Sequence, residues 1–159
     1  MDYKTHLDNG IHELKYGDLD VALENINKSI ELKSDWEISY FYRAVVHQAM
    51  KNYDEAMLDY TKALQINDKM CDAYYNRAEI ILTRKDIENP NIEKAVEDLN
   101  RALKLDDKFI NALFAMASAQ KKLGNYSQAL IYLDRLLELE PEAITARALK
   151  KLLLQKYIK

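Results

Sequence analysis

The alanines Ala22, Ala56, Ala95 and Ala129 stand 34, 39 and 34 residues apart, and the phrases around them recur with them. They close the related runs Gly17-Asp-Leu-Asp-Val-Ala22, Lys51-Asn-Tyr-Asp-Glu-Ala56, Asn91-Ile-Glu-Lys-Ala95 and Gly124-Asn-Tyr-Ser-Gln-Ala129. Seven residues on come Ser29, Ala63, Ala102 and Leu136, then the apolar pairs Ile30/Leu32, Leu64/Ile66, Leu103/Leu105 and Leu137/Leu139. A period of this size marks a supersecondary unit that hides its apolar face only by stacking on its neighbours, and about three such units are needed for stability. Four are present.

Within a unit the apolar spacing is helical. Tyr53, Ala56, Met57, Tyr60, Ala63 and Leu64 step by three or four, with Asp54, Glu55, Asp59 and Lys62 between them, as on an amphipathic helix. The acids throughout the chain read in the same way, as a solvated face among lysines. Strand signals are missing. Gly17 and Gly124 occupy equivalent turns, as do Lys51-Asn52, so each unit is two antiparallel helices with a short connection. Gly10 corresponds to Ala44, Ala78 and Ala117, a place where a large side chain would hold the next helix away. The third unit carries five extra residues in Lys85-Asp-Ile-Glu-Asn-Pro90, and Asn89-Pro90-Asn91 reads as a turn with a helix start behind it.

At 159 residues and 48% hydrophobic, the chain can bury a real core. Its net charge of -3 is uneven: Ile144 to Lys159 holds Arg147, Lys150, Lys151, Lys156 and Lys159 with no acid, so the rest is acidic. An acidic body argues against nucleic-acid binding. The single cysteine, Cys71, reads as a small buried side chain in a reducing compartment. No apolar run reaches a membrane span and the start is not a signal peptide, so the expected location is cytoplasmic.

These positions together resemble the tetratricopeptide repeat (TPR), a helix-turn-helix unit. Units fall at 3-36, 37-70, 71-109 and 110-143 in one domain spanning 1-159, with Tyr40, Tyr74 and Leu113 at the family's large position, Tyr53 and Tyr126 before the second helix, and Pro141 at a unit's end. His6, Asn9, Arg43 and Arg77 depart from the pattern. The resemblance implies an all-α, right-handed superhelical α-solenoid of four TPR repeats with a C-terminal capping helix over 144-159. In the cap, Ala148, Leu149, Leu152 and Leu153 are expected to cover the fourth unit, while Leu154, Tyr157 and Ile158 leave a second apolar edge.

In that family the first helices line a concave groove that holds peptides. Carried over, the partner-binding residues would be Leu7 and Ile11; Ile38, Phe41, Tyr42 and Val45; Asp72, Tyr75, Asn76 and Glu79; and Phe114, Lys121 and Lys122. Leu7, Phe41, Tyr75 and Phe114 recur at one place in successive units, either as a ladder along the groove or as packing of each unit on the next. Ile38, Phe41, Tyr42 and Val45 form a second stripe on a helix that is already apolar at Tyr40, Ala44 and His47, so both sides need cover. Some members clamp the acidic tails of heat-shock chaperones with lysines, asparagines and an arginine. The corresponding residues here are Leu7, Ile11, Tyr42, Asp72 and Asn76, or Phe41, Val45, Asn76, Asn111 and Ala115, and only Asn76 suits. Asp72 and Glu79 would repel a carboxylate, so an apolar or amphipathic segment carrying a basic residue is the expected ligand.

Nothing announces catalysis. His6, His12 and His47 are scattered, with no paired metal-ligand spacing, and no phosphate loop or nucleophile motif occurs. No catalytic residue, metal or cofactor is expected. The sequence reads as a non-enzymatic adaptor or scaffold. A self-associating structural protein is the alternative, through the groove or the C-terminal helix, and a chaperone for secreted proteins is a further one.

Overall fold

The structure, a computed structural model, describes residues 1–157; Ile158 and Lys159, expected at the end of the capping helix, lie outside the described residues. Among the described residues there are nine helices and no strand: α1 Tyr3–Tyr16, α2 Leu19–Leu32, α3 Glu37–Ala49, α4 Tyr53–Ile66, α5 Cys71–Thr83, α6 Ile92–Leu105, α7 Ile110–Lys122, α8 Tyr126–Leu139 and α9 Ile144–Lys156. The chain is an all-α helical repeat. It divides into two compact units, residues 1–73 and residues 74–159.

The alanines that set the period lie inside the packing. Ala22, Ala56, Ala95 and Ala129 are fully buried, as are Ala44, Ala78 and Ala117 on the preceding helices. At Gly10 even a methyl is excluded: an added Cβ would lie 2.5 Å from Ile26 Cγ1 and 3.1 Å from the Ala22 carbonyl oxygen. Helix α1 therefore packs against α2 as the small residue predicts, with Leu7, Ala22, Ile26 and Val46 forming a buried cluster. Helix α2 packs in turn on α3, where the hydroxyls of Ser29 and Ser39 satisfy each other at 2.8 Å. In residues 74–159, α6 packs on α7, α7 on α8 and α8 on α9, burying Leu99, Leu113, Met116, Leu133, Leu136 and Leu153.

Helix boundaries follow local chemistry. The carboxylates of Asp2 and Asp18 accept from the backbone N–H of Thr5 and Val21, and Asn91 accepts from Lys94, each satisfying an amide that the helix start leaves open. The loop over 84–91 thus ends on Asn91, as its sequence predicts, and within it Arg84 holds the carboxylate of Asp86 through Nε and Nη2 at 2.9 and 2.6 Å. Three hairpin turns share one closure. Gly17, Lys51 and Gly124 all take left-handed φ, at 87, 64 and 80°, and the next residue donates back to the carbonyl five positions earlier. Lys51 does so without being glycine.

Three expectations are corrected. Cys71 is half-buried rather than enclosed, because it opens α5 instead of lying within it. The cap presents Ala146, Leu149 and Leu153 to its support, while Ala148 and Leu152 are exposed, so its inner face is rotated from the one expected. The acids are not all solvated: Asp59 and Asp98 are 7% and 1% exposed.

Candidate functional site

In residues 1–73 most of the expected lining faces its own core. Leu7, 2% exposed, is a core residue rather than a rung of a ligand-facing ladder. Ile11, Ile38 and Tyr42 are partly buried and pack against the cluster that contains Leu7 and Val46. Phe41 is half-buried, with its ring edge-on to Tyr42 at 5.3 Å and to Tyr60 at 5.7 Å, and Val45 is half-buried too. The second apolar stripe of α3 is thus largely covered by neighbouring helices of its own unit. Sequence periodicity shows that a face needs cover but not what supplies it.

Residues 74–159 differ. Here Tyr75 and Glu79 of α5, Ile110, Asn111, Phe114 and Ala115 of α7, Leu136 of α8, Glu140 and Ala143 of the following loop, and Thr145 of α9 surround one cavity of about 320 Å³. Tyr75 and Glu79 are four residues apart, as are Ile110 and Phe114, so each helix offers one face to the cavity. Ala115, only 4% exposed, has just a methyl group, too short to fill the space that Phe114 and Tyr75 border. The Tyr75 ring is fixed from behind by Phe109 at 5.1 Å.

The electrostatics of this cavity are one-sided. Among the described residues its lining includes two carboxylates, Glu79 and Glu140, and no lysine, arginine or histidine. Burial pushes the Glu79 carboxyl above its ordinary value. Burial, and then the Glu79 charge, raise the Tyr75 phenol likewise. Of the other expected site residues, Asp72 is exposed at the start of α5, Asn76 is half-buried beside the cavity lining without joining it, and Lys121 and Lys122 end α7 away from it. Leu136, Glu140, Ala143 and Thr145 were not expected. They come from a helix end, a loop and the cap, which the first-helix pattern does not sample.

The departures at Arg43 and Arg77 are explained by the buried acids. Arg43 donates from Nε and Nη2 to the two oxygens of Asp59 at 2.7 and 2.8 Å, and from Nη1 to Asn27 Oδ1 at 2.9 Å. Arg77 grips Asp98 in the same two-pronged way. Both guanidinium groups also lie near the tyrosine three residues before them, 5.5 Å from the Tyr40 ring and 5.9 Å from the Tyr74 ring. The signal was in the sequence: an Arg and an Asp recur together at the same places in the second and third units. Among the described residues no group of three His, Cys, Asp or Glu is placed to hold a metal, and no helix is long and apolar enough to cross a membrane.

Known proteins resemble this chain in parts and as a whole. Residues 38–70 match the family described as "Tetratricopeptide repeat", and residues 110–159 match "Fis1 C-terminal tetratricopeptide repeat". Human sperm-associated antigen 1 is 37% identical over 97 residues, which are 61% of this chain and 10% of that protein, so the chain spans a small part of the relative's length. Among solved structures, MamA from Desulfovibrio magneticus RS-1 superposes with a TM-score of 0.87 at 14% identity, covering 98% of this chain and 86% of its own. The first TPR of Spaghetti (RPAP3), bound to the HSP90 peptide SRMEEVD, gives a TM-score of 0.70 at 20% identity over 77% of this chain and 93% of that one. At these identities the structural likeness shows the fold.

Proposed function

We propose that this chain, which belongs to the tetratricopeptide-repeat family, is a protein–protein interaction adaptor that holds an apolar or amphipathic segment of a partner protein against the first helices of residues 74–159. The observation that carries this reading is the meeting of Tyr75, Glu79 and Phe114, all on the first-helix faces expected to bind, around one open cavity. Capture of a peptide by the first TPR of Spaghetti supports the same use of the fold, but the chemistry differs. The acidic SRMEEVD sequence would meet Glu79 and Glu140 here, and like charges across an interface are unfavourable. In this reading residues 1–73 supply no binding face, because their groove-side residues already serve a core. The adaptor is read as non-enzymatic, and the lone cysteine favours a reducing, cytosolic setting.

Affinity capture from a native lysate with the wild-type chain and with Tyr75→Ala/Phe114→Ala tests it. Partners are expected to be lost by the variant while its far-ultraviolet circular dichroism stays unchanged. Equal capture by both would overturn the assignment.

A second reading has its own observation. Helix α9 exposes Leu152 at 40%, Leu154 at 46% and Ile144 at 80%, and Leu154 borders a cavity of about 640 Å³ with Leu137 and Pro141. Self-association through this helix would cover that surface. Light scattering across concentration tests it, and a strict monomer for the wild-type chain would count against it.

A further inference from the structure

We propose that the cavity bordered by α5, α7 and α9 is a subsite for one arginine or lysine side chain of the partner segment, with its aliphatic stem on Phe114 and Ala115 and its charged head at the carboxylates of Glu79 and Glu140. The proposal rests on the adaptor reading above and names what that site selects.

Charge and burial point the same way. In this chain the deeply buried carboxylates Asp59 and Asp98 are each gripped by an arginine through two hydrogen bonds. Glu79 is half-buried with no cation among the described lining residues, and burial raises its pKa. A carboxylate removed from water without a counter-charge is costly, and the cost grows if a ligand covers it further. A purely apolar segment would add to that cost, and an acidic one would add repulsion as well. A cation reverses the sign.

The walls suit the rest of such a side chain. Lysine and arginine carry apolar stems that lie well on apolar surface while the head reaches a polar partner. Phe114, Ala115 and Leu136 offer that surface, and the rings of Tyr75 and Phe114 add faces that attract a guanidinium or ammonium.

The probe is a phage-displayed library of random dodecapeptides selected on the full chain, with binders resynthesised and titrated by fluorescence anisotropy against wild type, Phe114→Ala, Glu79→Gln, Glu140→Gln and the double Glu79→Gln/Glu140→Gln chain. Binders that depend on Phe114 are expected to share an arginine or lysine. Replacing it with citrulline or norleucine is expected to weaken binding to wild type about tenfold, and binding to the doubly substituted Glu79→Gln/Glu140→Gln chain much less. Because Glu140 is exposed, its variant tests the charge without touching the core. Phe114-dependent binders that lack a basic residue, or that bind both glutamine variants as tightly as wild type, would overturn the subsite and leave the adaptor reading standing. A selection with no Phe114-dependent binder would overturn both.

Discussion

Arg77 and Asp98 face each other as a fork on a fork, Nε to Oδ2 at 2.7 Å and Nη2 to Oδ1 at 2.6 Å, with Asp98 only 1% exposed. The pair joins the two helices of the third repeat, and Arg43 with Asp59 does the same in the second. These two units set a desolvated charge pair between first and second helix, at places where the first and fourth units carry uncharged side chains. The first repeat has Asn9 and Asn25 at the corresponding places, and the fourth has Met116 and Tyr132.

Breaking one such pair is expected to cost far more than replacing it whole. Asp98→Ala leaves a guanidinium without its buried counter-charge and should lower stability by about 3–5 kcal/mol. The double change Arg77→Leu/Asp98→Leu removes both desolvation costs and should bring stability back to near the wild-type value. Urea denaturation of the three chains checks this, and a double variant as unstable as the single one would show that the pair is worth more than its desolvation.

The array was legible because it depends on backbone proximity. Ala22, Ala44 and Gly10 are small for a steric reason that repeats with the fold, so their recurrence in sequence shows directly which helices touch. The site was legible only in part. Tyr75, Glu79 and Phe114 were readable from the position they share on first helices, whereas Leu136 and Glu140 lie at the far end of a second helix and beyond it, where the repeat pattern carries no site information. Leu7 shows the opposite limit: the same repeat position holds a core residue in the first unit and a cavity wall, Tyr75 and Phe114, in the third and fourth. The cap face was misplaced for a related reason. Helix α9 is rich in leucine on more than one side, so spacing alone does not choose between Ala146/Leu153 and Ala148/Leu152.

At the turn after α3, Lys51 is the one described non-glycine residue with positive φ, at 64°. Its Cβ crowds the backbone in this region, as Gly17 and Gly124 avoid in the matching turns. Lys51→Gly should raise stability by about 0.5–1 kcal/mol, with the unchanged hydrogen bond from Asn52 N–H to the His47 carbonyl keeping the turn closed. A shift of the urea midpoint to lower concentration would contradict it.

Gly10→Ala sets two effects against each other. Alanine in a helix interior gains about 1 kcal/mol over glycine. The new methyl, however, would stand 2.5 Å from Ile26 Cγ1 with the Ala22 carbonyl oxygen at 3.1 Å, and overpacking a tight core costs about 1–3 kcal/mol. Net destabilisation by Gly10→Ala is expected in the wild-type background, and that penalty should vanish when the change is made on top of Ile26→Ala, which removes the clashing carbon. A thermodynamic cycle over the four chains measures the coupling, and simple additivity would mean that the backbone, not Ile26, takes up the strain.

Glu79 is where stability and binding should diverge. Its folded pKa is raised by burial above the ordinary value of 4.5, so the unfolded chain loses that proton first as pH rises. The stability tied to this group is therefore fully present below pH 4.5 and is lost as pH climbs through the folded value. Glu79→Gln keeps the shape and removes the charge, so it should be more stable than wild type at neutral pH and indistinguishable from it well below pH 4.5. Under the proposed subsite, the same variant should also bind a basic peptide more weakly than wild type. Denaturation midpoints for the two chains across this pH range decide the point: a variant less stable than wild type at neutral pH would mean that the Glu79 carboxylate is already satisfied within its own chain.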